Sequence, residues 1–215
     1  MRDESFYRDQ VNGIVSWCDE NDLCLNVQKT KEMIVDFRIK KDPLSPLLIN
    51  GTVVDQVDSF KFLGTHVSNN LSWSVNCQEI LKKARQRLFF LRKLRSFGVS
   101  KAILVNFYRA IIESVLTFSI CIWYGSATQA DLRKLTSVVG TAEKIIGTSL
   151  PSLESIYINR MEKKTLKIMS DPCHPAFEYF KLLPSGRTLR TFKGCRRLTT
   201  SFFPSAVKHY NSSKR

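Results

Sequence analysis

The sequence has no pair of adjacent aspartates, no glycine-rich phosphate loop and no H-E-x-x-H motif, and it contains only three histidines. Two-metal phosphoryl transfer needs carboxylates clustered around its ions, and a zinc protease needs its pair of histidines. Neither kind of active site can be assembled from these residues. We therefore expect no catalytic residue, no bound metal and no cofactor.

The six cysteines form no C-x-x-C pair, and several lie in apolar runs. This spacing predicts reduced, mostly buried thiols rather than a disulfide framework or a zinc site. The charged start, Met1-Arg2-Asp3-Glu4, leads into no apolar segment of the kind found in signal peptides. A cytoplasmic or nuclear location is therefore expected.

Acidic residues are in the minority, 19 against 33 lysines and arginines, so the net charge is +14 and the pI is about 9.7. Hydrophobic residues make up 43%, which is typical of a folded chain and excludes disorder as its overall state. A basic folded chain favours a polyanionic partner. The RNA or DNA backbone is the leading candidate, and an anionic membrane is the second.

The periodicity of apolar residues predicts an α+β fold that begins with a helix and a small antiparallel sheet. Apolar positions recur at helical spacing over Ser5–Asn21 and alternate over Leu23–Val27 and Met33–Phe37. Asn50-Gly51 between two apolar runs predicts a hairpin with a type I′ turn, and Val57–Leu63 predicts a further strand.

A helical bundle is predicted over the next hundred residues, with Ser74, Thr128 and Ser152 as helix starts and Gly98 and Gly147 as helix ends. Beyond it the sequence predicts a basic, weakly structured tail, because no acidic residue follows position 178 while nine cations do. The expected organisation is 1–68 for the helix and sheet, 69–170 for the bundle and 171–215 for the tail. The aromatic residues of the tail either stack on unpaired bases or pack back on the helices.

The run from Ile103 to Tyr124 is apolar nearly all round and approaches the length of a membrane span. Arg109 and Glu113 lie near its middle, and each charge costs about 2.5 to 3.5 kcal/mol at a bilayer centre. A buried central helix is therefore the preferred interpretation, and no membrane partner is expected.

Seven cations and no acid fall within fourteen residues of the helix that starts at Ser74. Such a surface suits a nucleic-acid backbone, because each neutralised phosphate releases counterions whatever the base sequence. A merely solvated surface is the alternative. The cations are Lys82, Lys83, Arg85, Arg87, Arg92, Lys93 and Arg95.

Several ordered segments resemble the end of the palm, the thumb and the C-terminal part of the reverse transcriptase of LINE-type (non-LTR) retrotransposons. Together they extend over nearly the whole chain. The segments are Leu23–Phe37, Ser59–Gly64, Lys82–Leu88, Phe107-Tyr108-Arg109, Ile112–Leu116, Leu150–Leu153, Asp171–Pro175 and Leu183–Arg187.

The resemblance implies roles for two groups of residues in the first part of the chain. Lys29 or Lys31 would lie near the incoming triphosphate. A primer grip would contain Phe60, Lys61, Phe62 and Gly64, and the helices from about residue 74 to 146 would be the thumb. The residues alone give a different interpretation. In it Lys29 and Lys31 are merely solvated lysines, and Phe60 and Phe62 are core residues on one sheet face.

The sequence departs from the family because it lacks the aromatic-Ala-Asp-Asp motif that carries the catalytic metal ligands. The resemblance therefore implies a catalytically incomplete remnant that keeps nucleic-acid-binding elements and does not polymerise on its own. The stretch Ser59–Leu94 also resembles the N-terminal segment named for the AlkB-type tRNA dioxygenase-methyltransferase. Two alternatives thus stay open: an accessory segment of an AlkB-like RNA-modifying enzyme and a non-functional fragment.

Overall fold

Two units make up the chain, residues 1–72 and residues 73–215. The structure is a computed structural model that describes residues 4–40 and 44–213. Within the described residues the first unit holds a helix and three two-stranded sheets, and the second unit is mainly helical. The predicted α+β class is confirmed.

The first unit begins with α1 (Ser5–Glu20), as predicted. Its three sheets are built from strands of two to four residues. They are the parallel pair β1 (Lys31–Glu32) and β4 (Asp55–Gln56), the antiparallel pair β2 (Leu48–Ile49) and β3 (Thr52–Val53), and the antiparallel pair β5 (Ser59–Phe62) and β6 (Thr65–Ser68).

Both hairpins of the first unit turn through two residues with positive φ. Asn50 has φ 49° and Gly51 has φ 73°, which confirms the predicted turn. Leu63 and Gly64 take the corresponding angles of 45° and 86° between β5 and β6. The second turn therefore places a non-glycine residue in the left-handed region, which is uncommon for a leucine.

The predicted strands over 23–27 and 33–37 are wrong, since only β1 forms in this part of the described chain. Leu25 and Val27 do pack against the small core of Leu47, Ile49 and Val54. Alternating apolar residues indicate a covered face, but a strand also needs a neighbour to complete its ladder of hydrogen bonds. Segment 23–27 has the covered face and lacks the neighbouring strand, whereas Val35 and Phe37 of segment 33–37 are exposed.

The second unit is a bundle of α-helices joined by short 3₁₀ and π segments. The α-helices are α2 (Ser74–Ser96), α3 (Lys101–Phe107), α4 (Ser114–Leu116), α5 (Ile120–Trp123), α6 (Gln129–Ile146), α7 (Leu153–Met169), α8 (Arg196–Thr199) and α9 (Phe202–Ser213). The π-helix is Tyr108–Glu113, and the 3₁₀ turns are Tyr124–Ser126 and Phe177–Phe180.

Most helix ends lie where the sequence predicts them. The Thr128 and Ser152 side chains accept the first-turn amides of α6 and α7. Gly98 and Gly147 take left-handed conformations at the ends of α2 and α6. Ser74 is the exception: Trp73 is the N-cap residue, and the Ser74 hydroxyl donates instead to Asp131 on α6.

The predicted continuous central helix is interrupted and only partly buried. Leu104, Tyr108 and Ile112 face the core, whereas other apolar residues of the segment are exposed. The helix breaks at Ser119, where φ is 49°. The carbonyls freed at the break accept hydrogen bonds, Thr117 O from Arg160 at 2.6 Å and Phe118 O from the Trp123 indole at 2.9 Å.

Lys101–Ser126 is a helical stretch that is long and apolar enough to cross a membrane, with a mean hydropathy of 1.5. A third (33%) of that apolar window is buried inside the structure. The core helix of a water-soluble protein passes the same test of length and composition, so this finding is weak support for a span. The absence of a membrane partner stays a prediction.

The segment after residue 170 is more ordered than the sequence suggests. Its last helix, α9, packs on α7, and Ala206 and Val207 belong to the main core. The Phe203 ring lies 4.7 Å from that of Tyr179 and 5.8 Å from that of Phe180. Phe203 is also partly buried against the main core of the bundle, so of the two interpretations of the tail aromatics, packing against the helices is the one observed for Phe203.

Candidate nucleic-acid interface

Helix α2 is held to α6 by one carboxylate at the starts of both helices. Asp131 Oδ2 accepts the Ser74 hydroxyl at 2.8 Å and the Thr128 hydroxyl at 2.7 Å. The backbone amide of Asp131 donates back to Thr128 Oγ1 at 3.1 Å. These bonds place the starts of the two helices side by side, and since later residues of both helices, from Arg85 to Arg92 and from Ser137 to Thr141, line one groove, the helices run in the same direction.

The buried side of α2 is an uninterrupted apolar stripe. Ile80, Leu81, Ala84, Leu88 and Leu91 recur at spacings of one, three and four residues, and all are buried. At its C-terminal end Gly98 donates its amide to the Arg95 carbonyl and Val99 donates to the Leu94 carbonyl, a Schellman motif. Both ends and one side of α2 are thus fixed, which leaves the rest of its surface for its polar and charged residues.

Six of the seven cations of α2 occupy three sides of the helix rather than the single basic face that the sequence suggests, and the seventh, Arg95, continues the line of Leu88 and Leu91 at the exposed C-terminal end. Successive residues are about 100° apart, so Lys82 and Lys93 point away from the core. Arg85 and Arg92 lie on the side of α6, and both border a groove with that helix. The opposite side carries Lys83 and Arg87.

Arg87 differs from the other cations because its guanidinium donates to the Ile111 carbonyl in the π-helix. A π-helix shifts the backbone hydrogen-bond register, and this contact gives Arg87 a structural role beside any role in binding. Across residues 4–40 and 44–213, no ion pair joins any of the seven cations to a carboxylate. The cations therefore form no direct ion pair, and Glu79, one turn before Lys82 and Lys83, is a nearby acid on the same helix.

Two aromatic side chains that the sequence analysis does not single out lie among these cations. Phe89 is 53% exposed and Phe90 is 56% exposed. Their ring centroids are 5.6 Å apart at 77°, and Lys93 Nζ lies 5.9 Å from the Phe89 centroid. The available signal was their position: both fall off the apolar stripe of Leu88 and Leu91, so neither is needed for the core.

A family model described as "Alkylated DNA repair protein alkB homolog 8, N-terminal" matches residues 73–114. The match includes α2, α3 and the π-helix, about a fifth of the chain. It confirms the predicted resemblance of an inner stretch to an AlkB-type N-terminal segment, with 73–114 as its bounds instead of 59–94. Comparisons with curated proteins and with solved structures gave no match. The resemblance to a reverse transcriptase has no support from these comparisons and stays a prediction.

The predicted primer-grip residues lie in the first unit, on the β5–β6 hairpin. Phe60 is 41% exposed and Phe62 is 61% exposed, and Lys61 and Gly64 are exposed as well. The interpretation of Phe60 and Phe62 as core residues is therefore wrong. The hairpin is only two strands wide, and β6 contributes buried polar residues, Thr65 and Ser68, where a core face would need apolar ones.

The two candidate lysines near β1 are in different situations. Lys31 pairs with Asp55 across the parallel strands at 2.5 Å. Lys29 is exposed in a turn, where its amide donates to the Asn26 side chain at 3.0 Å. The charge of Lys31 is thus paired with a carboxylate, and the charge of Lys29 is the more accessible of the two.

The prediction of mostly buried thiols is wrong, because only Cys18 and Cys77 are buried. Burial, with a smaller contribution from nearby Asp131, raises the pKa of Cys77 to about 12. Cys195 lies at the surface immediately before α8, and the Leu198 backbone amide is the largest cause of its lowered pKa. Apolar neighbours in the sequence therefore did not ensure burial of the thiol.

Proposed function

We propose that the second unit binds the sugar-phosphate backbone of nucleic acid through α2. The observation that carries this proposal is the set of cations on α2 that form no ion pair with a described carboxylate, with Phe89 and Phe90 exposed among them. Backbone phosphates supply the missing negative charge, and exposed rings supply a surface on which bases stack. A solvated face needs neither aromatic residues nor a uniform sign of charge.

The family origin that we propose is the C-terminal part of a LINE-type reverse transcriptase that lacks its polymerase site. Ordered resemblances along the sequence support it, and α2 would then belong to the thumb. The sequence immediately upstream of residue 1 tests this origin: an in-frame aromatic-Ala-Asp-Asp motif supports it. The chain alone should incorporate no labelled nucleotide on a primed RNA template with added magnesium.

Salt dependence of binding tests the main proposal. The variant Lys82→Gln, Arg85→Gln, Arg92→Gln, Lys93→Gln removes four cations and leaves Arg87 and the apolar stripe intact. The slope of log affinity against log salt should fall by about 0.9 for each phosphate contact, about 3 to 4 in total. The decrease should be equal for unrelated duplex sequences, because these contacts do not read bases.

A matched control removes the same charge from another part of the second unit, through Lys163→Gln, Lys167→Gln, Lys193→Gln, Lys208→Gln. All four side chains are exposed. Fluorescence anisotropy with a labelled duplex gives both slopes, and far-ultraviolet circular dichroism checks the fold. Equal slopes in the two variants would mean that net charge alone drives binding and that α2 is not the interface.

The match to the AlkB-type segment favours a second candidate, an accessory role beside an enzyme that repairs alkylated nucleic acid. The description of the matched family names alkylated DNA repair. Duplexes with and without one alkylated base separate the two candidates. A backbone binder holds both with the same affinity, whereas a repair accessory holds the alkylated duplex more tightly.

A further inference from the structure

A groove of about 310 Å³ lies between α2 and α6 in the second unit. It is lined by Arg85, Leu88 and Arg92 from α2 and by Ser137, Val138 and Thr141 from α6. Leu88 and Val138 are buried and form an apolar floor. The polar groups of the groove therefore lie on its two walls, the guanidinium groups on one and the hydroxyl groups on the other.

The arginine wall can place two guanidinium groups on one anion. Arg85 and Arg92 are seven residues apart, which is two helical turns or about 10.5 Å along the axis. Each side chain is long enough to reach toward the middle of that interval. A guanidinium presents a planar fork of N–H donors that matches the oxygens of a phosphate.

The hydroxyl wall can add donors without breaking the helix. Ser137 Oγ donates to the Lys134 carbonyl at 2.7 Å, and Thr141 Oγ1 donates to the Ser137 carbonyl at 2.8 Å. Both carbonyls lie inside α6, where a backbone amide four residues later is their helical donor. The hydroxyl bonds are therefore second bonds to these carbonyls, and the hydroxyl groups can donate to a bound anion instead.

Further positive charge borders the same wall. Lys134 precedes Ser137 by three residues and Lys144 follows Thr141 by three, so each is a surface neighbour of a groove residue on α6. Both lysines are exposed. None of the residues that line the groove is acidic. Two cations, Arg85 and Arg92, thus line the groove, and Lys134 and Lys144 add positive charge about one turn away on α6.

We propose that this groove binds a phosphate group through Arg85, Arg92, Ser137 and Thr141. The inference deepens the proposed function and rests on it for the source of the phosphate, a phosphodiester of the nucleic-acid backbone. The groove divides the cations of α2 into two classes. Arg85 and Arg92 bind a phosphate at a defined place, whereas Lys82 and Lys93 attract the backbone without a fixed partner.

Amide shifts in nuclear magnetic resonance spectra of the ¹⁵N-labelled full chain test the groove directly. Inorganic phosphate is titrated at constant ionic strength, with chloride as the balancing anion, and a duplex oligonucleotide is titrated separately. We expect both ligands to shift the amides of Ser137 and Thr141. Saturation of these shifts in the phosphate titration identifies the groove as a phosphate site. The same shifts in the oligonucleotide titration identify the nucleic-acid backbone as the source of the phosphate.

Two variants with the same charge change give the decisive comparison. The apparent phosphate affinity, obtained from the shifts at Ser137 and Thr141, should fall at least tenfold in Arg85→Gln with Arg92→Gln. In Lys82→Gln with Lys93→Gln the same affinity should fall by less than a factor of about three. Arg85→Lys with Arg92→Lys keeps the charge and loses the fork, so it should resemble the glutamine pair more than the wild type.

The outcomes separate the groove from the proposed function. Equal losses in the two glutamine pairs, or wild-type shifts in the Arg85 and Arg92 variant, would overturn the groove even if the chain still binds duplex. Phosphate shifts confined to Ser137 and Thr141 without any oligonucleotide binding would support the groove and overturn the proposed function. Dispersed spectra of each variant confirm that it is folded.

Discussion

Replacing Asp131 should destabilise the second unit more than replacing any comparable exposed acid, because its carboxylate joins two helices. The residue is 7% exposed, and its Oδ2 accepts hydrogen bonds from the hydroxyl groups of Ser74 and Thr128. A hydrogen bond to a charged group contributes about 1.5 to 3 kcal/mol. Taking the lower figure for each bond, Asp131→Ala should lower the free energy of unfolding by about 3 kcal/mol.

A further loss comes from the position of the charge in the first turn of α6, where a carboxylate contributes about 0.3 to 1 kcal/mol. Glu154 occupies the first turn of α7 and is exposed, and within the described residues it makes no hydrogen bond or ion pair to a neighbouring helix, so Glu154→Ala measures this contribution alone. The difference between the two variants isolates the link between α2 and α6. Asp131→Asn, which keeps the shape and replaces charged bonds by neutral ones, should fall between them.

Urea unfolding followed by tryptophan fluorescence provides the measurement. A Trp17→Phe background removes the tryptophan of the first unit, so the signal comes from Trp73 and the fully buried Trp123 of the second. A double-mutant cycle of Ser74→Ala and Asp131→Ala should give a coupling energy of about 1 kcal/mol or more. Additivity within about 0.3 kcal/mol, or equal losses in Asp131→Ala and Glu154→Ala, would refute the reasoning.

Three other perturbations have expected outcomes. At neutral pH the Cys195 thiol should be alkylated more than about ten times faster than the Cys77 thiol. The lowered pKa of Cys195 raises its thiolate fraction, whereas burial and a raised pKa suppress the thiolate of Cys77. Mass spectrometry at successive times measures both rates. Gly125→Ala should destabilise the protein by about 1 to 3 kcal/mol, because a Cβ there would lie 2.6 Å from the Thr200 carbonyl oxygen. Gly140→Ala, in open space within α6, should instead stabilise it by up to about 1 kcal/mol, and thermal unfolding compares the two variants. Phe89→Ala should weaken single-strand binding by about 1 to 3 kcal/mol and leave stability unchanged; an equal loss for duplex would argue against stacking.

The features that the sequence predicts well are those decided by neighbouring residues. Asn50-Gly51 adopts its turn because glycine and asparagine tolerate positive φ, and Gly147 ends α6 for the same reason. Thr128 caps α6 because its hydroxyl reaches an amide three residues away. Each outcome depends on a span of four or five residues, and such spans are visible in the sequence.

The features that the sequence misses depend on residues far away in the chain. Ser74 has the side chain of a helix cap, but its hydroxyl donates a hydrogen bond to a carboxylate 57 positions later. The strand expected over 23–27 has a covered face and no neighbouring strand, and Phe62 has the alternation of a core residue without an opposing layer. The apolar run after Ile103 contains no proline, yet it breaks where Arg160 and Trp123 bind the freed carbonyls.

The segment that matches a known family carries exposed cations and lacks the ligand set of a non-haem iron site. Residues 73–114 contain neither histidine nor aspartate, so they cannot supply the two histidines and one carboxylate of a non-haem iron site. What they do contain is a helix with one buried apolar stripe and cations on its remaining sides. A reverse-transcriptase thumb and an accessory segment of a repair enzyme would use that helix in the same way, because both must hold a polyanion while the chemistry takes place elsewhere. The groove beside α6 is consequently the feature on which both origins make the same prediction, and the alkylated duplex is the ligand on which they differ.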